Sequence, residues 1–239
     1  MRCYTGQTYA RRRSSSKIPE RSGAPPEALS IPPDRFHSIF MRIISGIYRR
    51  RLLQSNTGST TRPITDRAKV MLFDRLEQHL PGTRVLDLYS GTGSLGLEAL
   101  SRGAASVVCI EADVKAYSLL KSNVSSLGVE EQVLCWRTDA LYSSYKPRNV
   151  EGIFPYDVIF LDPPYRMLEQ LKPETPLSDS IRRLTTDEVS SPNARLIVRC
   201  SKFANFDLPD AWQLERRLTI GSMGIWIYLK NSGTPPAEG

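Results

Sequence analysis

Short apolar runs alternate with segments of helical periodicity over most of this chain. Each run is four to six residues long, which is typical of strands buried on both faces of a sheet. The runs occupy residues 85–88, 106–110, 132–136, 158–161 and 195–200. Between them, residues 114–127 and 177–189 have apolar side chains at helical spacing. A final strand pair is predicted over residues 212–229, with a turn at Gly221 and Gly224. This alternation predicts an α/β fold with a parallel sheet.

A glycine-rich turn follows the first run. Residues 91–96, Gly-Thr-Gly-Ser-Leu-Gly, separate that strand from a periodic apolar stretch, which predicts strand, tight turn and helix. A side chain at Gly91 or Gly93 would keep a ligand away from the backbone, and glycine adopts positive φ freely. With Glu111 placed 20 residues beyond Gly91, the spacing is that of a dinucleotide fingerprint, in which the carboxylate accepts ribose hydroxyls. A plain connection between a strand and a helix is the alternative interpretation.

Asp87, four residues before Gly91, narrows the choice of ligand. A carboxylate beside the turn would repel the pyrophosphate of a dinucleotide but attract the ammonium of an amino-acid moiety. The turn is therefore predicted to bind S-adenosylmethionine rather than NAD.

A second motif, Asp-Pro-Pro-Tyr at residues 162–165, ends the apolar run 158–161. In a parallel sheet this position lies at the carboxyl end of a strand, where such sheets bind ligands. The alternative is a strand end that the two prolines simply terminate.

The residue types of this motif suit methylation of an amino group on a nucleobase. Such a nitrogen is a poor nucleophile because its lone pair is delocalised into the ring. If the Asp162 carboxylate and the Pro163 carbonyl accept its two N–H bonds, the lone pair can be directed at a methyl sulfonium. Pro163 and Pro164 stiffen the turn. Tyr165 offers a face on which the base can stack, worth about 1–3 kcal/mol.

When the segments that flank these two motifs are included, the chain resembles the RsmD family of bacterial methyltransferases over residues 41–230. The matching segments are residues 41–46, 49–52, 61–67, Leu72-Phe73, residues 85–103, Glu111, Asn123, Asp139-Ala140 and residues 162–165. Members of this family methylate the N2 amino group of a guanine in small-subunit (16S) ribosomal RNA. The resemblance implies a class I methyltransferase fold, S-adenosylmethionine as donor, S-adenosylhomocysteine as product and no metal.

The resemblance also implies roles for individual residues. Asp139 would reach the adenine amino group of the cofactor, with Ala140 beside it, although an aspartate starting a helix at Ala140 is the alternative. Thr65, Asp66 and Arg67 would shape the methionine end, and Asp66 is also a candidate cap for the following helix. The chain departs from the family at residues 69–70, Lys-Val, where a basic residue followed by glutamate is common. The predicted cofactor-binding set is Asp87, Tyr89, Ser90, Gly91, Gly93, Gly96, Glu111, Asp139 and Ala140.

Basic residues are concentrated before the glycine turn. The chain has a net charge of +7, yet residues 1–67 hold 13 Lys and Arg against 4 Asp and Glu. The cluster at residues 49–51 adjoins the predicted nucleobase site, which favours contacts with phosphates; solvated arginines or ion pairs elsewhere are the alternative. The predicted RNA-binding residues are Arg42, Arg49, Arg50, Arg51, Arg62, Thr65 and Arg67.

Composition suggests four segments. Residues 1–40 are basic and poor in apolar periodicity, as in a disordered extension. They are interpreted as a basic RNA-binding arm, an organellar transit peptide, or residues upstream of a true start at Met41; the last is favoured because the resemblance begins there. Residues 41–67 form a basic RNA-contacting segment or hairpin, residues 68–230 the methyltransferase domain, and residues 231–239 a disordered tail.

No apolar stretch is long enough for a membrane helix or a secretory signal. The four cysteines show no Cys-x-x-Cys spacing and the two histidines lie away from both motifs, so a cytoplasmic protein without a metal site is expected.

These observations predict a Rossmann-like class I methyltransferase with a seven-stranded, mostly parallel sheet, an antiparallel C-terminal strand and helices on both faces. The predicted reaction moves a methyl group from S-adenosylmethionine to the N2 of a guanine in 16S ribosomal RNA, with an assembled or assembling small subunit as substrate and a monomeric enzyme. Adenine N6 methylation of DNA or RNA is the nearest alternative. A NAD-dependent oxidoreductase and a non-enzymatic RNA-binding module are more distant ones.

Overall fold

The computed structural model describes residues 41–55 and 64–231. The predictions made for residues 1–40, for Arg62 and for the tail beyond Asn231 lie outside these ranges.

A seven-stranded sheet forms the centre of the fold, and a two-stranded hairpin precedes it. The hairpin strands are β1 (Met41–Arg42) and β2 (Leu52–Leu53). The sheet strands are β3 (Arg84–Leu88), β4 (Ser106–Ile110), β5 (Val133–Trp136), β6 (Tyr156–Leu161), β7 (Ser190–Ser201), β8 (Trp212–Ile220) and β9 (Met223–Lys230). Their spatial order is β5-β4-β3-β6-β7-β9-β8. The pairings from β5 to β7 are parallel, whereas β9 is antiparallel to both β7 and β8. The predicted mostly parallel sheet with an antiparallel C-terminal strand is confirmed.

Helices cover both faces of the sheet. They are α1 (Asp66–Leu76), α2 (Ser94–Ser101), α3 (Val114–Leu127), α4 (Tyr165–Glu169) and α5 (Pro176–Arg183), and a 3₁₀ turn (Glu77–His79) follows α1. The apolar residues of α1, α2 and α3 pack in one core cluster with the hairpin residues Ile43 and Leu53. Those of α4 and α5 pack in a second cluster on the opposite face. Alternate residues of the central strands β3, β4 and β6 therefore pack in different clusters, which is why these strands are mostly apolar.

The hairpin is attached to the sheet domain through polar side chains of α2 and α3. The Glu98 carboxylate accepts the backbone N–H of Ile44 at 2.7 Å and that of Ser45 at 3.1 Å. Asn123 bonds both backbone groups of Gln54, and its amide also donates to the carbonyl of Thr92 in the glycine turn at 2.9 Å. Segment 41–55 is thereby held against the elements that form the glycine turn.

Two predicted helix boundaries are wrong. Thr65, not Asp66, caps α1, because its hydroxyl accepts the Ala68 N–H at 3.2 Å while Asp66 is the first helical residue. The helix predicted over residues 177–189 ends at Arg183. The carbonyl of Val189 instead accepts the Tyr156 N–H at 2.7 Å, since the chain is already entering β7.

In the part of the chain that the structure describes, no helix has the length and apolar character needed to cross a membrane.

Candidate active site

The two sequence motifs meet at the carboxyl ends of neighbouring parallel strands. Leu88 of β3 lies opposite Leu161 of β6, so the glycine turn and the Asp-Pro-Pro-Tyr motif begin at the same level of the sheet. The Asp162 N–H points to the Leu88 carbonyl at 3.4 Å. On the other side of β6, Leu161 pairs with Val198 of β7. Because parallel sheets bind ligands at this edge, the strand ends form the candidate active site.

The glycine turn combines left-handed backbone with open space. Tyr89, Gly91 and Gly93 have φ values of 59°, 57° and 87°, and the tyrosine adopts this conformation at a steric cost of about 1 kcal/mol or more. A Cβ atom at Gly91 would meet nothing within 4 Å, so the space beside this residue is open. A Cβ at Gly93 would lie 2.6 Å from Leu120 Cδ1 of α3. At Gly91 this open space would let a ligand approach the backbone. At Gly93 a side chain is excluded by packing against α3, not by a ligand.

Asp87 is buried beneath the turn, with only 1% of its surface exposed. Its Oδ2 atom accepts the Gly96 N–H at 2.8 Å. A Cβ at Gly96 would lie 2.8 Å from Val107 Cγ1 and 3.0 Å from the same oxygen, so a side chain at this position would be crowded. Burial, opposed by the Gly96 hydrogen bond, raises the pKa of Asp87 to about 8, and the carboxyls of Asp162 and Glu111 add to the rise. A cation placed beside Asp87 would lower this pKa again.

Buried polar atoms without partners are concentrated in this turn. Within residues 41–55 and 64–231, six buried side-chain polar atoms have no hydrogen-bond partner, and five belong to residues 87–94. They are Asp87 Oδ1, Tyr89 OH, Ser90 Oγ, Thr92 Oγ1 and Ser94 Oγ. Since native proteins pair nearly all buried polar atoms, this concentration indicates a polar ligand. The carboxylate oxygen suits an ammonium and the hydroxyls suit a carboxylate, which are the two charged ends of the methionine moiety of S-adenosylmethionine.

Glu111 follows β4 and is tied to the glycine turn. Its Oε2 atom accepts the Gly91 N–H at 2.8 Å, and its Oε1 atom accepts the Asp113 N–H at the same distance. Burial raises the pKa of Glu111, and the two N–H bonds oppose that rise. The carboxylate is thus fixed at the Gly91 backbone, and its role in binding ribose hydroxyls stays a prediction.

Asp139 and Ala140 lie just beyond β5 in a turn. The Asp139 carbonyl accepts the Tyr142 N–H at 3.2 Å and its carboxylate accepts the Leu141 N–H at 2.9 Å. The alternative of a helix starting at Ala140 is therefore wrong. Ala140 is buried, and its carbonyl accepts the Tyr145 hydroxyl at 2.7 Å. The Tyr145 hydroxyl therefore fixes the turn at Ala140, whereas Asp139 is exposed.

The Asp162 carboxylate has a partner that the sequence interpretation missed. Its Oδ1 atom accepts a hydrogen bond from Arg199 Nε at 2.6 Å, and the two side chains are 15% and 7% exposed. Burial raises the pKa of Asp162 to about 6, and the Arg199 guanidinium opposes the rise. One signal for this pair was available, since Arg199 is a charged residue inside an otherwise apolar run, residues 196–200.

The remainder of the motif turns the chain into α4. Pro163 is buried and Pro164 is exposed, and the Pro164 carbonyl accepts the Met167 N–H at 2.8 Å. Tyr165 is the first residue of α4 and is partly exposed. The motif thus presents a largely buried carboxylate and, three positions further along, a partly exposed tyrosine.

The predicted RNA-binding residues have different environments. Arg42 pairs with Asp66 at 2.7 Å, and Arg51 donates to the Ser126 carbonyl at 2.8 Å. Arg49, Arg50 and Arg67 are exposed. Thr65 caps α1 as described above, and Arg62 lies outside the described residues.

Fold and site together define a class I methyltransferase. A parallel sheet of this topology carries a glycine turn with unpaired buried polar atoms beside a second motif suited to an amino group. The family described as "Conserved hypothetical protein 95" matches residues 41–229, and the chain belongs to this family. The resemblance to RsmD proteins is confirmed by the relatives below.

Two relatives resemble most of the chain. "Putative rRNA methyltransferase YlbH" from Bacillus subtilis is 33% identical over 193 residues, which cover 80% of this chain and 99% of the relative. "Ribosomal RNA small subunit methyltransferase D" from Haemophilus influenzae is 32% identical over 191 residues, which cover 79% of this chain and 93% of the relative.

Solved structures share the fold. "Putative methyltransferase yhhF" from Escherichia coli superposes with a TM-score of 0.67 at 27% identity, over 81% of this chain and 99% of that structure. An RNA methyltransferase from Salinibacter ruber, solved with S-adenosyl-L-homocysteine, has a TM-score of 0.52 at 18% identity, over 73% of this chain and 97% of that structure. The second similarity shows the fold alone.

Proposed function

We propose that this protein transfers a methyl group from S-adenosylmethionine to the N2 amino group of a guanine in small-subunit (16S) ribosomal RNA. The observation that carries the proposal is the position of Asp162, a largely buried carboxylate that directly follows β6, beside the glycine turn that follows β3. The names of the relatives support ribosomal RNA as the substrate. The choice of guanine N2 rests on the resemblance to the RsmD family.

The chemistry requires the protein to prepare a weak nucleophile. Asp162 and the Pro163 carbonyl would accept the two N–H bonds of the amino group, so that its lone pair points at the methyl donor. Tyr165, at the start of α4, would stack on the flipped base. Positioning rather than strong general-base catalysis carries the rate, because the amino group loses its proton easily once it has been methylated.

The cofactor would lie over the glycine turn. Asp87 Oδ1 would accept from its ammonium, Glu111 would bind the ribose hydroxyls and Asp139 the adenine amino group. The unpaired hydroxyls of Ser90, Thr92 and Ser94 support this placement. When bound, S-adenosylmethionine supplies an electrophilic methyl group on a sulfonium. The Salinibacter ruber protein, which was solved with S-adenosyl-L-homocysteine, shows that this fold can hold such a ligand.

The RNA would approach from the side of the N-terminal hairpin. Exposed Arg49, Arg50 and Arg67 supply positive charge. Gln54, at the end of the hairpin, is held by Asn123, which also bonds Thr92 of the glycine turn. Phosphate contacts of this kind fix the register of an RNA without reading its bases. We further propose that the enzyme is a cytoplasmic monomer that acts on an assembled or assembling small ribosomal subunit.

Binding of S-adenosylmethionine is expected to release roughly one proton at about pH 7. Asp87 has a pKa of about 8 in the free protein, and an ammonium beside it would lower that pKa and ionise the group. Isothermal titration calorimetry in buffers of different ionisation enthalpy measures the proton count. Asp87→Asn, which keeps the size of the side chain and an acceptor for Gly96, should remove most of the release. An unchanged proton count in this variant would place the ionisation elsewhere.

The decisive experiment uses tritiated S-adenosylmethionine and small ribosomal subunits from a strain that lacks the gene. Transferred label is identified by nucleoside chromatography, and fully methylated subunits serve as the control. Label in N2-methylguanosine, absent from the control, is the expected result. Label in N6-methyladenosine would overturn the guanine assignment and keep the mechanism. Cofactor binding without any transfer to subunits would show that the substrate is wrong, and naked RNA and DNA would be tested next.

A further inference from the structure

We propose that Arg199 is a positioning residue for methyl transfer, which orients the Asp162 carboxylate and keeps it ionised for the substrate amino group. The inference rests on the proposed function. It adds to the Asp-Pro-Pro-Tyr motif a residue that lies 37 positions further along the chain.

The register of the sheet brings the two residues together. Leu161 of β6 lies opposite Val198 of β7 in a parallel pairing, so the next residues, Asp162 and Arg199, are also neighbours. Side chains alternate along strands, and Ile197 packs in the core cluster of α1, α2 and α3 whereas Val198 packs in the opposite one. Arg199 therefore points to the α1–α3 face, on the same side as Asp162.

The contact has the geometry of a strong, directional bond. The Nε–Oδ1 distance of 2.6 Å is short for a nitrogen donor and a carboxylate. Because Nε lies in the plane of a rigid guanidinium, it restricts rotation of the carboxylate. With Oδ1 held by Arg199, Oδ2 is the atom assigned to the substrate N–H bond.

The charge of Arg199 matters because the carboxylate is buried. A protonated carboxyl oxygen donates a hydrogen bond instead of accepting one, so only the ionised form can bind the amino group as required. Burial raises the pKa of Asp162 to about 6 even with the guanidinium beside it. Removal of an opposite charge at this distance is expected to raise that pKa by about 1–3 units further.

The Asp162 carboxyl in turn acts on a neighbouring acid. It raises the pKa of Asp87 on β3, and Glu111 at the end of β4 raises it further. Arg199 on β7 is the cation that opposes them. The guanidinium thus favours ionisation of two carboxyls, Asp162 and Asp87, so its removal should be visible in a titration.

The test compares Arg199→Met and Arg199→Lys with a control on the same strand. Arg195 also lies on β7, but it pairs with Glu215 at 3.2 Å, away from the site. Arg195→Met therefore removes an arginine from β7 without changing the surroundings of Asp162. For each protein, kcat for methyl transfer is measured from about pH 5 to pH 9, together with the Kd for S-adenosylmethionine and the thermal melting temperature.

For the wild type and Arg195→Met, kcat should fall as the pH drops through about 6. For Arg199→Met, the midpoint of this fall should move up by about 1–3 pH units. Its kcat should be about tenfold lower or more at pH 7 and should recover only partly near pH 9, because methionine does not orient the carboxylate either. Arg199→Lys keeps the charge, so its midpoint should stay near that of the wild type. Its plateau should nevertheless be lower, because an ammonium does not fix the carboxylate plane. Because Arg199 also favours ionisation of Asp87, the Kd for the cofactor is expected to rise in Arg199→Met, and kcat is therefore measured at saturating S-adenosylmethionine.

A purely structural ion pair predicts a different pattern. In that case Arg199→Met would lower kcat equally at every pH, in step with its melting temperature, and the midpoint would not move; this result would overturn the proposal. If Arg199→Met does not fold, the kcat plateau of Arg199→Lys tests the positioning role instead. A plateau equal to that of the wild type would also overturn the proposal.

A second readout separates this inference from the proposed function. The carboxyl carbon of Asp162 can be followed by ¹³C NMR titration without RNA, with its signal assigned from Asp162→Asn. A pKa that rises in Arg199→Met while the wild type methylates no RNA would refute the proposed substrate and retain the Arg199–Asp162 coupling. Methyl transfer by the wild type with an unchanged Asp162 titration in Arg199→Met would refute the coupling alone.

Discussion

Replacing Asp162 with alanine is expected to lower the rate of methyl transfer by about 10³-fold or more, with the Kd for S-adenosylmethionine changed by less than about threefold. The variant removes the acceptor that would orient the amino group. It leaves in place the glycine turn, whose unpaired polar atoms are the proposed cofactor contacts. The measurements are single-turnover transfer of label to undermethylated subunits and calorimetric binding of the cofactor.

Two further variants make the result interpretable. Asp162→Asn has nearly the same volume and tests the charge rather than the packing around Arg199. Asp157→Asn is the matched control, because Asp157 lies on the same strand but at its amino end, where it binds Arg84 at 3.0 Å and Ser191 at 2.7 Å. An Asp162→Ala enzyme that retains a substantial fraction of wild-type activity would refute the proposed mechanism.

Replacing Glu98 with alanine is expected to lower the free energy of unfolding by about 3–5 kcal/mol. This carboxylate has no exposed surface, and it accepts bonds from the Ile44 and Ser45 N–H groups and from Arg102 Nε. It also lies 3.3 Å from Lys69 Nζ, which is 1% exposed. Burial already lowers the pKa of Lys69, and Glu98 opposes that shift. The alanine variant would leave a buried ammonium without its counter-ion and two backbone groups without acceptors.

Chemical denaturation measures this loss, and the melting temperature should fall by roughly 6–20 °C for a domain of this size. The control is Arg182→Ala, which removes an exposed ion pair with Asp179 at 3.7 Å and should cost less than about 1 kcal/mol. A similarly small loss for Glu98→Ala would mean that the hairpin is not anchored through this carboxylate. The departure from the family at residues 69–70 does not weaken this anchor, because Lys69 is part of it.

Much of the secondary structure followed from short-range signals in the sequence. The helix predicted over residues 114–127 is α3 with both ends as expected, because Asp113 caps its first turn and Gly128 adopts the left-handed conformation at its end. The strands predicted at residues 106–110 and 158–161 are β4 and the last four residues of β6. The glycine turn and the Asp-Pro-Pro-Tyr motif were also recognisable, because a turn or a strand end depends on a few adjacent residues.

Boundaries set by competition between elements were less predictable. Residues 184–189 continue the helical pattern of α5, but the helix ends at Arg183. Leu184 and Val189 are buried in the core cluster that also contains the apolar residues of α4 and α5. Pairing of Tyr156 with Ser190 starts β7 five residues before the apolar run at residue 195. Pairing of β7 with β6 therefore decided where the helical pattern ends, against the local preference for helix.

The sequence by itself determined the fold class, the two motifs at the candidate site and the family. Only the tertiary structure decided the order of the strands, the attachment of the hairpin through Glu98 and the partner of Asp162. The physical reason is the range of the forces involved. Turns, caps and periodicity act within a few residues, whereas the Ile44–Glu98 and Asp162–Arg199 contacts join groups 54 and 37 positions apart. Such pairs form only after packing has set the strand register and removed the water that would otherwise screen their charges.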